Sequence, residues 1–494
     1  MPAAASRHSR ISASLHGNRR AFALRTPALG TALVPSFPAV DWFPARLYDT
    51  YFSGPAESVY GGPCSPSRFM QRKSVRPSRA PASLPDLHPL KVARTAPAGR
   101  AFARELAPAE AVYVLKAYRV VLPWCRRMAD PAAGFDTALP AALSSEVAAF
   151  PLPRDLRDAL ILLCRQLGRK HPDPHRIARA CLAVADCAVA RGARQTALLW
   201  SEAAAVSVPL NPRFAWLVGK LHRKWDNCRD AEYWLMRSFR AAVRIDDRYS
   251  QALALNSLGN LYLQTGNFAL ATDLLTRALK RARRNRLLPL EGEILHDLVV
   301  LAVVTGKYRD AERYGALAFE RYRDNHPNLP KLACDLAYSW AEQGFFERAM
   351  SIYESLLPHY STADDRLPSL AALVRCAGAI GAGEQFDRYW TDAWEAAQRL
   401  TNNAVLASAL VDMGKGALSL SDWQRASDAL GWAVETARES GEADVAVAAE
   451  AAIECIERHR RVDRTPRHRR ENAEAERLAI NLMVGLGAYH PTRE

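Results

Sequence analysis

Apolar and small residues recur at spacings of three and four along most of this chain. Between residues 252 and 284, Leu255, Leu258, Gly259 and Tyr262 share one helical face, and Ala271, Leu274, Leu275 and Ala278 share another. That period predicts two amphipathic helices. Gly266-Asn267 stands between them, and both residues tolerate the left-handed conformation that ends a helix. The segment is therefore predicted to be a helical hairpin. Small residues at Gly259, Ala271 and Ala278 let the helix backbones approach closely. The frame returns elsewhere. Gly-x-aromatic-x-x-Ala occurs at Gly266–Phe268–Ala271, Gly306–Tyr308–Ala311 and Gly344–Phe346–Ala349, and its alanine recurs at Ala197, Ala231 and Ala426. Successive alanines lie 34, 40, 40, 38 and 77 residues apart, and the last gap has room for one more degenerate copy. A period in this range predicts a stacked repeat array.

The positions resemble the tetratricopeptide repeat (TPR), in the stand-alone form found in bacteria. That family places large-large-small at its fourth, seventh and eighth positions, Tyr at its eleventh, and Ala at its twentieth and twenty-seventh. Leu255, Leu258, Gly259, Tyr262, Ala271 and Ala278 match all six. Later copies keep Leu295, Leu298, Ala311 and Ala318, then Leu336, Trp340 and Ala349, then Leu410, Gly414, Ala426 and Ala433. Earlier copies keep Val218, Gly219, Ala231 and Leu235, and before them Ala185, Ala197 and Ala204. Between Ser369 and Asn403 the pattern degenerates. Gly378, Gly381 and Gly383 cluster there, and Tyr389 falls where Ala is expected, so a distorted repeat and a bend are predicted. The resemblance covers about 178–440. It implies an all-α fold, a right-handed α-solenoid of about seven TPR-like hairpins with capping helices and a disordered N-terminal tail. The expected organisation is a Pro/Ser/Arg-rich tail over 1–100, capping helices over 101–170, the array over 171–457, and a basic linker with a final helix over 458–494.

The resemblance also implies where a partner would sit. In the family the first helix of each hairpin lines the concave face. Carried onto this chain, that face holds Arg213, Trp216, Lys220 and Arg223, then Asn256 and Asn260, then Glu293 and His296, then Lys331 and Tyr338, with Arg179 and Lys415 further out. Asn260 is placed to hydrogen-bond a ligand's backbone amide, and Arg213, Lys220 and Arg223 to meet carboxylates. The clamp for a C-terminal carboxylate carried by chaperone-binding members is missing, since Ser257 and Asp335 replace its residues. The expected function is a non-enzymatic scaffold or adaptor binding a protein or peptide. A peptide-sensing regulator and an organellar RNA-associated subunit remain as alternatives.

Charge sharpens this picture. Of the net +14, residues 1–100 carry +10 and residues 458–470 carry +6, so the rest of the chain sums to −2. The repeat body is near neutral, and nucleic acid would be met only through the basic tails. The first 100 residues hold 13 of the 30 prolines, with no acidic residue before Asp41. They read as a disordered tail, an organelle transit peptide, or a start assigned too far upstream; the first implies a cytoplasmic protein. A basic stretch runs through Arg277, Lys280, Arg281, Arg283, Arg284 and Arg286 without the interleaved aromatics of a nucleic-acid platform. The nine scattered cysteines form no C-x-x-C pair and suit reduced core thiols. No apolar run reaches the roughly 18 residues of a membrane span. Phosphate-loop, nucleophile-elbow and zinc-protease motifs are missing, and His171-Pro-Asp-Pro-His175 lacks a third nearby donor. No catalytic residue, metal or cofactor is therefore expected.

Overall fold

The computed structural model describes residues 95–129, 134–322, 326–400, 403–458 and 472–489. The basic segment up to residue 94 and the arginine-rich stretch over 459–471 lie outside them, and so do the transit-peptide and RNA readings placed there; of the tail expected over 1–100, the last six residues are helical and begin the first helix. All elements among the described residues are helical. Four helices come first: α1 (Thr95–Glu105), α2 (Pro108–Ala129), α3 (Ala138–Ala149) and α4 (Arg154–Leu167). Seven hairpins follow. They are α5 (Pro174–Ala190) with α6 (Arg194–Ser207), α7 (Pro212–Lys224) with α8 (Cys228–Arg244), α9 (Arg248–Gln264) with α10 (Phe268–Arg284), and α11 (Leu288–Val304) with α12 (Tyr308–Tyr322). The last three are α13 (Leu329–Glu342) with α14 (Phe346–Leu356), α15 (Ala363–Ile380) with α16 (Gly383–Arg399), and α17 (Asn403–Leu420) with α18 (Trp423–Ser440). Two single helices close the chain, α19 (Ala443–Glu457) and α20 (Ala473–Ala488).

The same local chemistry starts and turns these hairpins. Asp173, Asn211 and Asp247 cap the first helices of the first three by accepting backbone N–H bonds, and Pro174 and Pro212 occupy first-turn positions whose N–H has no helical partner. Inside every hairpin one residue adopts positive φ: Gly192, Asp226, Gly266, Gly306, Gly344, Gly381 and Ser421. Each lies five positions before a buried frame residue, namely Ala197, Ala231, Ala271, Ala311, Ala349, Phe386 and Ala426. The wide gap between Ala349 and Ala426 thus holds a full hairpin. Phe386, not Tyr389, takes the alanine's place, and Gly383 stands where the aromatic residue stands elsewhere. Counting from the turn residue and not from the glycine cluster restores the register.

What departs from the array at this point is the packing. A Cβ on Gly378 would lie 2.2 Å from the carbonyl oxygen of Gly416, and one on Gly416 would lie 2.5 Å from that of Val374. Helices α15 and α17 therefore meet backbone to backbone. In the other hairpins the small residue accommodates a side chain, as when Gly259 and Gly414 seat Leu275 and Leu430.

Ser421 is the one hydroxyl among the seven turn residues. It sits at φ 62, and its Oγ is buried without a hydrogen-bond partner. An L-residue in this conformation costs about 1–2 kcal/mol, partly offset in glycine by chain entropy. Ser421→Gly is expected to stabilise the last hairpin by about 0.5–1 kcal/mol, read as slower amide exchange in α17 and α18. Faster exchange would contradict this account of the turn.

One continuous apolar core runs from Ala231 to Leu486, and a second joins Ala98–Leu167 to the first two hairpins. The N-terminal helices cover the first hairpin: α1 and α2 pack on α6, and Glu105 accepts bonds from the backbone N–H of Gln195 and Thr196 at the start of that helix. Arg191 reaches back to Asp155 at 2.7 Å and Glu110 at 3.4 Å. Helix α19 packs on α17 and α18, whereas α20 returns to α12, α13 and α14. Gly485 is seated there against Leu329 and Phe319, and Glu476 pairs with Arg348 at 2.8 Å. Cys125, Cys164, Cys181 and Cys376 are free and buried, and burial raises all four thiols. No helix among the described residues is long and apolar enough to cross a membrane.

Candidate functional site

First helices pack on one another in order from α7 through α9, α11, α13, α15 and α17, with no comparable packing between successive second helices. The shorter spacing puts first helices on the inside of the curve and makes their exposed stripe the wall of a groove. The basic helix α10 is a second helix and faces away from it. There Arg277 pairs with Asp273, Arg283 pairs with Glu291, and Arg281 lies on the ring of Phe239.

At the entry to the groove, Arg213 stacks 4.9 Å from the ring centre of Tyr249, and Lys220 lies 5.3 Å from that of Trp216. The Trp216 indole N–H donates to Ser257 at 2.7 Å, tying α7 to α9. Arg223 is 7% exposed and donates to Gln264 at 3.4 Å. Arg213, Trp216 and Arg223 are thus braced against the neighbouring first helix, whereas Lys220 is exposed and lies over a ring of its own helix.

Deeper in, the polar groups are buried. Asn256 and Asn260, one turn apart on α9, both donate their side-chain amides to Asp297 Oδ2 on α11, at 2.6 and 2.9 Å. A carboxylate only accepts, so this contact fixes the orientation of both amides. Their oxygens are turned to the other edge, and both are buried with no hydrogen-bond partner. His296, 2% exposed, lies between the Tyr322 hydroxyl at 3.0 Å and Asp335 of α13 at 2.8 Å. The carboxyl of Glu293, one turn before Asp297, is pushed up to about 7 by burial and by its acidic neighbour, against the pull of Lys220 and His296. Burial pushes Lys331 down to about 8, and the charge of Lys220 adds to this. Lys220 and Lys331 belong to the second and fifth hairpins, so charges three hairpins apart act on each other.

The outer end of the groove is a charged ladder. Arg375 on α15 bridges Glu342 of α13 at 2.7 Å and Asp412 of α17 at 3.4 Å. The Tyr338 hydroxyl bonds Glu342. Burial pushes Asp412 up and Lys415 down, the latter to about 8. Burial also works against the charges of Glu342 and Arg375, yet each holds the other ionised. Tyr338 belongs to this ladder and not to the Asn256–Asn260 cluster, and Arg179 on α5 is exposed and belongs to neither.

Asp297, Asp335, Glu342, Arg375 and Asp412 were not among the positions expected from sequence. One signal for Asp297 is visible: it is the only acidic residue in the run Leu295–Val304, where all the others but His296 are apolar. A charge placed in such a run is costly unless something meets it.

Glu293 gives a pH prediction. Its carboxyl titrates near 4.5 when exposed and near 7 in the folded chain, so the folded chain holds more protons between these values. Stability from this group is full below about pH 4.5 and declines as pH rises to about 7. The groups facing it are Lys220 of α7, Tyr249 of α9, His296 and Asp297 of its own helix, and Tyr322 of α12. His326, pushed down to about 4 by burial, works in the opposite sense over part of the same range. The difference between wild type and Glu293→Gln isolates the carboxyl. The variant is expected to gain stability relative to wild type from pH 4.5 to 7, in denaturation followed by circular dichroism, and a pH-independent difference would contradict the assignment.

No family model matches the chain, and no curated protein matches it in sequence. Solved structures do. Aspartyl phosphate phosphatase F from Bacillus subtilis is similar at a TM-score of 0.43 and 12% identity, over 67% of this chain and 95% of that one. A signal-transduction ATPase with a tetratricopeptide repeat sensor from Pyrococcus horikoshii matches at 0.44 and 15%, over 64% of this chain and 55% of its own. A Rap protein complexed with competence and sporulation factor matches at 0.31 and 11%, over 71% and 98%.

Proposed function

We propose that this TPR-type repeat protein is a non-enzymatic interaction scaffold that holds an extended segment of a partner protein in the groove lined by α7, α9, α11 and α13. The observation that carries this reading is the pair of buried, unpartnered acceptors on Asn256 and Asn260. A buried acceptor without a donor costs about 1–3 kcal/mol, and an extended peptide offers backbone N–H donors at regular intervals. Lys220, exposed at the groove entry, is placed to meet the partner's acceptors. A peptide-sensing role is a second reading, favoured by Lys220 and Lys331 acting on each other across three hairpins. A ligand between them touches several hairpins at once and is coupled to their spacing.

The test is capture of binding partners by the full chain and by the Lys220→Glu/Asn260→Ala double variant, with cross-links mapped on both. Cross-links on α7, α9, α11 and α13 that vanish in a folded double variant are expected. Unchanged capture by the variant would refute the groove.

A further inference from the structure

We propose that the groove between α9 and α11 selects a positively charged side chain, arginine or lysine, on the bound segment. The oxygens of Asn256 and Asn260 would accept from it, with Glu293 as its counter-ion. This rests on the groove being the binding site. The sign of the ligand follows from the groups left unsatisfied. Asn256 is 5% exposed and Asn260 is 9% exposed, and Asp297 consumes the donor side of both amides, so what remains is acceptor only. The free edge of the two amides offers a carboxylate or phosphate no donor, and Lys220, the cation that faces Glu293, stands on α7 and not between α9 and α11. Glu293, one helical turn from Asp297, makes no hydrogen bond among the described residues. Two amide oxygens and a carboxyl on facing helices match the several N–H donors of a guanidinium, or the three of an ammonium.

The charge state of Glu293 agrees with this geometry. Burial and Asp297 keep its carboxyl near 7. A cation arriving beside it favours the ionised form, so binding releases a proton to solvent. The groove is then selective without carrying an exposed, permanently paired acid.

The experiment pans a random decapeptide library on the full chain and measures affinity for the recovered peptides. Arginine or lysine is expected to recur at one register. Replacing that arginine by citrulline, which keeps the shape and removes the charge, should weaken binding to wild type by about tenfold or more. Because the protein is unchanged in that comparison, misfolding cannot produce the loss. Panning on Glu293→Lys should shift the recovered register to acidic residues. Peptides without a basic register, or equal binding of the citrulline peptide, would overturn this inference while leaving the groove reading intact. Recovery of no peptide would overturn both.

Discussion

Arg375→Met is expected to uncouple the fifth, sixth and seventh hairpins. Arg375 links three consecutive first helices, with Glu342 on one side and Asp412 on the other. A buried ion cluster adds little over an apolar substitute, because desolvation offsets most of the Coulomb attraction. Removing only one partner is different, since it leaves the other charges buried and unmet. With Arg375 gone, two carboxylates face each other across α15 with Lys415 alone to answer them. The expected loss is about 3–5 kcal/mol of coupling between these hairpins. In a repeat array, each unit depends on its neighbours, so the loss should be local. Amide exchange in α13, α15 and α17 should accelerate on the order of a hundred- to a thousandfold, with α5 to α9 unaffected. Uniform or absent acceleration would show that the ladder does not set the spacing there.

Gly378→Ala should produce the second large effect, by steric means. The added methyl would lie 2.2 Å from the Gly416 carbonyl oxygen, 2.7 Å from its carbon and 2.8 Å from its Cα. No side chain can rotate away, because every contact is backbone, so α15 and α17 must separate. That displaces the Arg375 ladder as well. Overpacking of this kind costs about 1–3 kcal/mol, and the rigid neighbour places this site at the upper end. Gly431→Ala on α18 is the control, since nothing lies within 4 Å of its added Cβ. Alanine there should be neutral or stabilise by up to about 1 kcal/mol. Chemical denaturation of the two variants beside wild type decides the matter, and equal midpoints would contradict the close approach.

The hairpin array was legible because its code is local. A small residue on one helix, a left-handed turn five positions before the next frame residue, and an apolar stripe at helical spacing can each be read from a short window. The reading failed at Tyr389 for an instructive reason. Three clustered glycines suggested a loosened repeat, but Gly381 is the ordinary turn residue, while Gly378 serves a contact with Gly416 nearly forty residues away. Asp226 and Ser421 hid two further turns, because a non-glycine at positive φ has no sequence signature. The positions expected to line a groove carried no sign of their contacts. Asn260 was expected to point at a ligand, and instead half of its amide is spent on Asp297. Whether a side chain on one first helix meets the next depends on the pitch between hairpins, which no single repeat encodes. The return of α20 to α12–α14 was invisible for the same reason.

We propose that ligand binds the inner face of the first helices. Hydrogen exchange on the full chain, with and without a peptide recovered from the library, tests it most directly. Protection should appear in α7, α9, α11 and α13, centred on residues 253–263 and 293–300, with α8, α10 and α12 unchanged. Protection confined to the basic face of α10, or to α20 and the helices beneath it, would contradict the account.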